Sequence, residues 1–242
     1  MEKKINKNEF KFLKNLQNKK YRDLKKKFII EGQDAIDEAI RVGKKITIYS
    51  SNLKIKADKY LDYELLCKIL NSVTPQEVFA VVDYLEERPI KGDVVALDHV
   101  QDPGNLGTII RNCVSFGVKN LLVNGVNIYN DKVLRSTKGA IFNINIIQSK
   151  NLINDIKYLK NTHQIIGTLL DKNAKSIVNF KPKNNYVLIF GNESKGISFP
   201  IQELLDERVY IPINFESLNV AISNAIALYE LKGRKENNGY KN

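Results

Sequence analysis

The sequence predicts an α/β protein in two parts: a smaller α/β segment over residues 1–90 and a larger α/β domain over 93–242, built on a mainly parallel sheet. Three observations predict it. Short apolar runs of strand type alternate with stretches of helical periodicity along the chain. The stretch Glu86-Glu87-Arg88-Pro89-Ile90-Lys91-Gly92 interrupts that alternation with charge, Pro and Gly, which marks a boundary. Gly, Asn or an ionisable group follows several strand-type runs directly, where a sheet of this kind opens its ligand crevice.

The elements follow in order. Phe10, Leu13 and Leu16 recur at helical spacing among lysines and predict an N-terminal helix with one apolar stripe. Phe28-Ile29-Ile30 is a short strand, Gln33 to Val42 a helix, Ile46 to Tyr49 a strand, Tyr60 to Leu70 a helix and Val78 to Val82 a strand. Beyond the boundary, strands are expected at Val94–Leu97, Leu121–Val123, Ile144–Ile147, Ile165–Thr168, Val187–Phe190 and Val209–Ile213, with a final helix over Asn219–Leu231. Apolar strands of this type belong to a parallel sheet covered on both faces.

Composition narrows the function. The 242 residues carry 38 Lys and Arg against 27 Asp and Glu, a net charge of +11. That is the footprint of a partner rich in phosphate, and nucleic acid leads. The excess is concentrated: residues 1–30 hold eleven basic and three acidic side chains. A lysine-rich start of this kind is either a solvated helix face or an RNA contact. No run approaches the ~20 apolar residues of a membrane span. The opening MEKKINKNEFKFLKN lacks the apolar stretch of a signal peptide, so a cytoplasmic protein without membrane contact is expected. Cys67 and Cys113 stand in apolar stretches, each without a second thiol nearby, which predicts reduced, buried cysteines. With two histidines far apart, His99 and His163, no zinc motif can be drawn and no metal is expected.

Three segments place chemistry after strands. In Asp102–Asn112 (DPGNLGTIIRN), Gly104 and Gly107 permit a tight turn, Asn105 caps the next helix or donates to a substrate, and Arg111 lies inside that helix. In Gly191–Gly196 (GNESKG), Glu193 either braces the loop by accepting backbone N–H groups or touches substrate. Gly196 is followed by Ile197-Ser198 rather than Lys-Ser/Thr, which disfavours a nucleotide triphosphatase. In Tyr210–Glu230, Ser217 and Asn219 stand at a helix start, where Ser217 reads as an N-cap.

Together the three segments resemble the SpoU, or TrmH, class of the SPOUT superfamily, RNA ribose 2′-O-methyltransferases that use S-adenosylmethionine. The resemblance spans residues 93–232 and rests on Asn105-x-Gly107-x-x-x-Arg111, Gly191-Asn192-Glu193-x-x-Gly196 and Ile211-Pro212 followed by Ser217-Leu218-Asn219-Val220. Arg135-Ser-Thr-Lys-Gly139-Ala140 is similar to a further family segment. Lys20, Arg22, Phe28 and Glu31-Gly32 are similar to the ribosomal-protein-like RNA-binding domain that often precedes such a catalytic domain. Two departures stand out: Ser194 replaces the usual glycine, and the loop between Ile213 and Glu216 is shortened to Asn214-Phe215.

The resemblance implies a trefoil-knotted C-terminal domain, a homodimer joined across it, and an N-terminal domain that holds RNA, ribosomal RNA of the 23S type being favoured over transfer RNA. It implies S-adenosylmethionine bound through main chain at Gly191, Ile211 and Leu218, with Gly196 permitting the turn. It also implies a catalytic set of Asn105, Arg111, Glu193, Ser217 and Asn219. Guanidinium has a reference pKa above about 12 and is a poor base. Arg111 is therefore expected to fix the neighbouring phosphate and stabilise developing alkoxide. A catalytically idle RNA-binding or ribosome-assembly protein is the competing class, and a knotted base methyltransferase a third.

Overall fold

The structure is a computed structural model that describes residues 4–214 and 216–233. It divides the chain into two compact units, residues 1–86 with 129–142 and residues 87–128 with 143–242. Residues 129–142, left in the second domain by a division at the Pro/Gly boundary, cluster with the first unit.

The first unit opens with two short helices, α1 (Lys7–Asn15) and α2 (Lys19–Lys25). Asn6 and Asn18 cap them by accepting N–H groups of the first turn. Then follow β1 (Lys27–Glu31), α3 (Gln33–Arg41), β2 (Ile46–Ser50), β3 (Lys59–Tyr60), α4 (Tyr63–Ile69) and β4 (Val78–Asp83). The sheet order is β1-β4-β2-β3, with β4 antiparallel to both β1 and β2. Leu13 and Leu16, the predicted apolar stripe, pack with Tyr49, Leu66, Ile69 and Phe79 into one core. The helix expected from Tyr60 starts instead at Tyr63, because Lys59-Tyr60 pair with Tyr49-Ser50 as an added strand. That pairing supplies backbone partners that helical periodicity alone does not reveal.

In the second unit, β5 (Val94–Val100) leads into α5 (Pro103–Ser115) and β6 (Asn120–Gly125). The chain then returns to the first unit with α6 (Asp131–Thr137) and a 3-10 turn that begins at Ala140. Tyr129, just ahead of α6, packs its ring 4.8 Å from that of Phe28. Arg135, in the segment likened to the family's, is paired at 3.1 Å with Asp131 and stands 3.8 Å from Glu31. Of the residues that carried the N-terminal likeness, Phe28 and Arg22 are buried, and Arg22 donates to the carbonyls of Leu16 and Gln17. These are structural positions; Lys20 is exposed.

Next come β7 (Asn145–Gln148), α7 (Leu152–Leu159), β8 (Gln164–Thr168), β9 (Lys175–Ser176), β10 (Tyr186–Phe190), α8 (Phe199–Gln202), β11 (Glu207–Tyr210) and α9 (Val220–Leu231). The sheet order is β7-β6-β5-β10-β8-β11-β9, and every pair is parallel. All five residues of β10 are buried, as a central strand covered on both faces requires. Val94, Ala96, Val187 and Ile189 face a core shared with Leu152, Ile156 and Ile201, while the alternate residues Val95, Leu97, Leu188 and Phe190 are buried as well.

After β5 the chain winds to one side through β6 and β7; after them it returns to fill the other side of β5. The neighbours β5 and β10 therefore flank a topological switch point, where loops leaving the carboxyl ends of strands diverge and leave a crevice. The strand expected over Val209–Ile213 ends at Tyr210, since Pro212 has no N–H to add to the ladder and biases Ile211 away from helix. The chain bends there, and Ile211 and Ile213 become wall rather than sheet. Cys113 is buried but Cys67 is exposed, because it sits on the outer face of α4 opposite Leu66 and Ile69. Among the described residues no helix is long and apolar enough to cross a membrane, and no cluster of three His, Cys, Asp or Glu could hold a metal.

Candidate functional site

The loop after β5 is set by its own sequence. Asp102, not Asn105, caps α5: its carboxylate accepts the N–H of Asn105 at 2.8 Å, and Pro103 occupies the first helical turn. The side chain of Asn105, in the first turn of α5 at the switch point, is thereby not used as a cap and can bond across the junction. Just upstream the strand bulges between Asp98 and Val100, and His99 takes φ of +58°. Asp98 is buried; one carboxylate oxygen accepts the N–H of Ser198 at 2.7 Å and the other meets His99 Nδ1 at 2.6 Å.

The loop after β10 closes on itself. The N–H of Asn192 donates to the carbonyl of Gly196 at 3.0 Å, and the N–H of Gly196 donates back to Asn192 at 2.9 Å. So tight a closure leaves no room at Gly191, where a Cβ would lie 2.0 Å from the carbonyl carbon of Gly196 and 2.2 Å from the nitrogen of Ile197. Gly196 makes the turn with φ of +67°. The Asn192 side chain accepts the N–H groups of Ser194 and Lys195 and donates to the carbonyl of His99 at 2.8 Å. This ties the second loop to the bulge of the first.

Glu193 faces the first loop. Its carboxylate accepts from Asn105 Nδ2 at 3.0 Å and, at 3.5 Å each, from the N–H groups of Gln101 and Asp102. Burial pushes this carboxyl up, but the donors from Asn105, from its own N–H and from those of Asp102 and Gln101 together outweigh burial and hold it below the ordinary range. Glu193 is an ionised acceptor.

The third segment completes the junction. Asn219, not Ser217, is the N-cap of α9, its Oδ1 accepting from Ala221 at 2.9 Å and Ile222 at 3.3 Å. Its Nδ2 donates to Asn105 Oδ1 at 2.9 Å. Asn112 of α5 donates to the carbonyl of Ala221 and to Asn224 Oδ1, so α5 and α9 are fastened a turn or two further on.

Beside this junction is a cavity of about 510 Å³, within the range usual for small-molecule and cofactor sites. Phe190, Val209, Ile211, Ile213 and Leu218 make its walls apolar, and Gly191, Glu193, Gly196, Ser217 and Asn219 edge it with main chain and polar groups. Gly191, Gly196, Ile211 and Leu218 thus all line one cavity, as do Glu193, Ser217 and Asn219. Asn105 joins the cavity through its bonds to Glu193 and Asn219. Arg111 does not line it: it is exposed on α5 and has no side-chain hydrogen bond or ion pair among the described residues. Of the shortened loop, Asn214 is exposed and Phe215 lies outside the described residues.

Two parts of the site are not singled out by the sequence: Asp98, and the stretch Thr168-Leu169-Leu170 at the end of β8, which also lines the cavity; Asn192 stands within a quoted motif but is given no role there. The β8 stretch had the same signal as the others, a position directly after a strand. An acid ending the apolar run Val94–Leu97 was the signal for Asp98.

A parallel sheet whose switch-point loops converge beside a half-apolar cavity defines an enzyme-like α/β protein that binds a nucleotide-sized cofactor. The chain belongs to the SpoU rRNA Methylase family, whose profile matches residues 93–229. The profile of the MRM3-like substrate binding domain matches residues 7–80. The chain is 32% identical over 235 residues to the 23S rRNA (guanosine(2553)-2′-O)-methyltransferase RlmP of Bacillus subtilis, covering 91% of this chain and 94% of that one. Among solved structures it is similar to the AdoMet-bound rRNA methyltransferase of Sinorhizobium meliloti, with TM-score 0.81, 25% identity and coverage of 94% and 95% of the two chains. It is likewise similar to the SpoU methyltransferase AviRb of Streptomyces viridochromogenes in complex with AdoMet, with TM-score 0.79, 25% identity and coverage of 96% and 99%.

Proposed function

We propose that the protein transfers a methyl group from S-adenosylmethionine to a ribose 2′-hydroxyl of RNA, with ribosomal RNA of the 23S type as substrate, and that it does so in the cytoplasm as a homodimer. The observation that carries this reading is the hydrogen-bonded chain Asn219–Asn105–Glu193, which joins three loops from distant parts of the sequence beside one cavity. The membership in the SpoU family and the likeness of residues 7–80 to a substrate-binding domain support the substrate class.

The cavity suits the cofactor by its chemistry. Apolar walls at Phe190, Ile211 and Leu218 fit a flat heterocycle, and a backbone stripped of side chain at Gly191 and Gly196 lets amides approach it. Gly191, Ile211 and Leu218 would hold the adenosine, with Gly196 shaping the loop. When bound, the cofactor supplies an activated methyl group on a sulfonium.

Displacement at that methyl demands an aligned nucleophile and a path for the hydroxyl proton. Among the described residues no acid pairs with Arg111, so its fork is available to the substrate's phosphate and to the oxygen as charge develops on it. Asn105, Asn219 and Glu193 act as positioning residues that hold the first turn of α5, and through it Arg111, in register with the cavity. Ser217, exposed at the cavity edge, is placed to hydrogen-bond ribose. A knotted passage of the chain and pairing of subunits complete the proposal. Pairing is supported by α9, which is apolar nearly all round yet leaves Ile222 53% and Tyr229 45% exposed.

Titration with S-adenosylmethionine by calorimetry, followed by incubation with deproteinised ribosomal RNA and mass-spectrometric mapping of the modified atom, tests the reading. A 2′-O-methyl ribose is the expected product. Absence of cofactor binding, or methylation of a base, rejects it.

A further inference from the structure

The exposed side of α1 is chemically uniform. At 100° per residue Lys7, Lys11 and Lys14 fall within an arc of about 60°, and all three are exposed, with exposed Asn8 on the flank of that arc. The buried side is Leu13, backed by Phe10 and Phe12. The helix has one acid, Glu9, and it points away: its carboxylate is taken by Lys59 Nζ at 2.6 Å and by the hydroxyl of Tyr49 at 2.9 Å. None of the three lysines has an ion-pair partner among the described residues. Three basic side chains on nearby helices are paired instead, Lys19 standing 3.5 Å from Asp23, Lys68 2.7 Å from Glu64 and Arg41 beside Glu38, so α1 is set apart by carrying three unpaired lysines on one face.

A lysine kept clear of acids is available to a phosphate; one paired with an acid first has to break that pair. Lysines three and four residues apart rise about 4.5–6 Å along the helix, a ladder of point charges that tracks a backbone without reading bases. The exposed amide of Asn8 adds a neutral donor beside the track. We infer that the Lys7–Lys11–Lys14 face of α1 is a phosphate-backbone contact for the RNA substrate, supplying salt-sensitive affinity and no sequence choice. This rests on the reading of the protein as an RNA methyltransferase and extends it to a surface outside the cofactor cavity.

The test compares the full-length wild type with Lys7→Ala/Lys11→Ala/Lys14→Ala and with a control of equal charge loss, Lys44→Ala/Lys45→Ala/Lys54→Ala, exposed lysines elsewhere in the same unit. Alanine keeps helix propensity, so α1 is retained. The probe is a deproteinised 23S rRNA transcript, and the readout is the slope of log affinity against log salt. Each lost contact to a single strand should remove about 0.7 from the slope, so the α1 variant should lose about 2 and the control nothing. Affinity for S-adenosylmethionine should be equal in all three proteins, and methyl transfer at saturating RNA should be near normal with a raised KM. An unchanged slope in the α1 variant, or an equal fall in the control, overturns the inference. A wild type that binds the transcript with this α1-dependent slope but transfers no methyl group upholds the surface and rejects the enzymatic reading. A wild type that does not bind the transcript rejects both.

Discussion

Asn219 donates from Nδ2 to Oδ1 of Asn105 at 2.9 Å, across 114 residues of sequence. The direction of that bond is settled at both ends. The ionised Glu193 can only accept, so it turns the Asn105 amide nitrogen toward itself and leaves the Asn105 oxygen for Asn219. At the other end, the N–H groups of Ala221 and Ile222 claim the Asn219 oxygen and leave its nitrogen to donate. A carboxylate and a helix N-terminus thus polarise two amides, and the first turns of α5 and α9 are locked to the loop after β10.

Removing the middle member should cost catalysis more than cofactor affinity. Asn105→Ala leaves Glu193 and Asn219 facing a gap, frees the start of α5, and so loosens Arg111. A fall in turnover of about 10²-fold is expected, the scale of a misplacement near 1 Å, with calorimetric affinity for S-adenosylmethionine within a few-fold of wild type. Combining it with Asn219→Ala should add little, since both break one chain.

Arg111 offers the cleanest separation of stability from function. It is exposed and contributes no ion pair or hydrogen bond among the described residues. Arg111→Lys should leave the thermal midpoint unchanged and lower single-turnover methyl transfer by about tenfold or more, because the ammonium keeps the charge and loses the fork. Near-normal transfer by Arg111→Lys would remove the arginine from the reaction.

Two glycines in one loop should answer substitution differently. Gly191→Ala drives a methyl group into the backbone of Gly196 and Ile197, so the loop has to move. A loss of about 1–3 kcal/mol is expected, as for overpacking, together with loss of measurable cofactor binding. At Gly196 nothing lies within 4 Å of the place a methyl group would take, so Gly196→Ala meets only the left-handed strain of φ +67° and should cost about 1–2 kcal/mol with cofactor binding retained. Denaturant unfolding and calorimetry on the pair check this.

Glu193 predicts a pH dependence with a definite sign. Its folded value lies below its ordinary 4.5. The stabilisation it gives the junction is therefore complete above about 4.5 and is lost as pH falls through the lower, folded value. Cofactor affinity measured from pH 7 downward should hold and then drop on the acid side of 4.5. Glu193→Gln, which no longer titrates, should lack that drop; an identical acid limb in both proteins would place its cause elsewhere.

Much of this site is legible in the residues. Asn105, Glu193 and Asn219 stand out because each follows an apolar strand, and strand ends are where a parallel sheet leaves its backbone loops open. The lysines of α1 are visible as a charge excess, though not which of them lack acids. The apolar periods of α1, β5, β10 and α9 dictate those elements by themselves, since burial of a stripe or a run admits few alternatives.

The rest needs the folded chain. The capping residue differs from the expected one at both α5 and α9, because Asp102, Asn105, Ser217 and Asn219 are all competent caps and only the partner across the junction decides which is used. Cys67 faces solvent because the phase of α4 is set by Leu66 and Ile69, and β3 exists because β2 offers it an edge. Local periodicity determined where this protein makes strands and helices. Strand order determined that loops some ninety residues apart meet, because hydrogen bonding between β5 and β10 is a long-range choice that no single segment encodes.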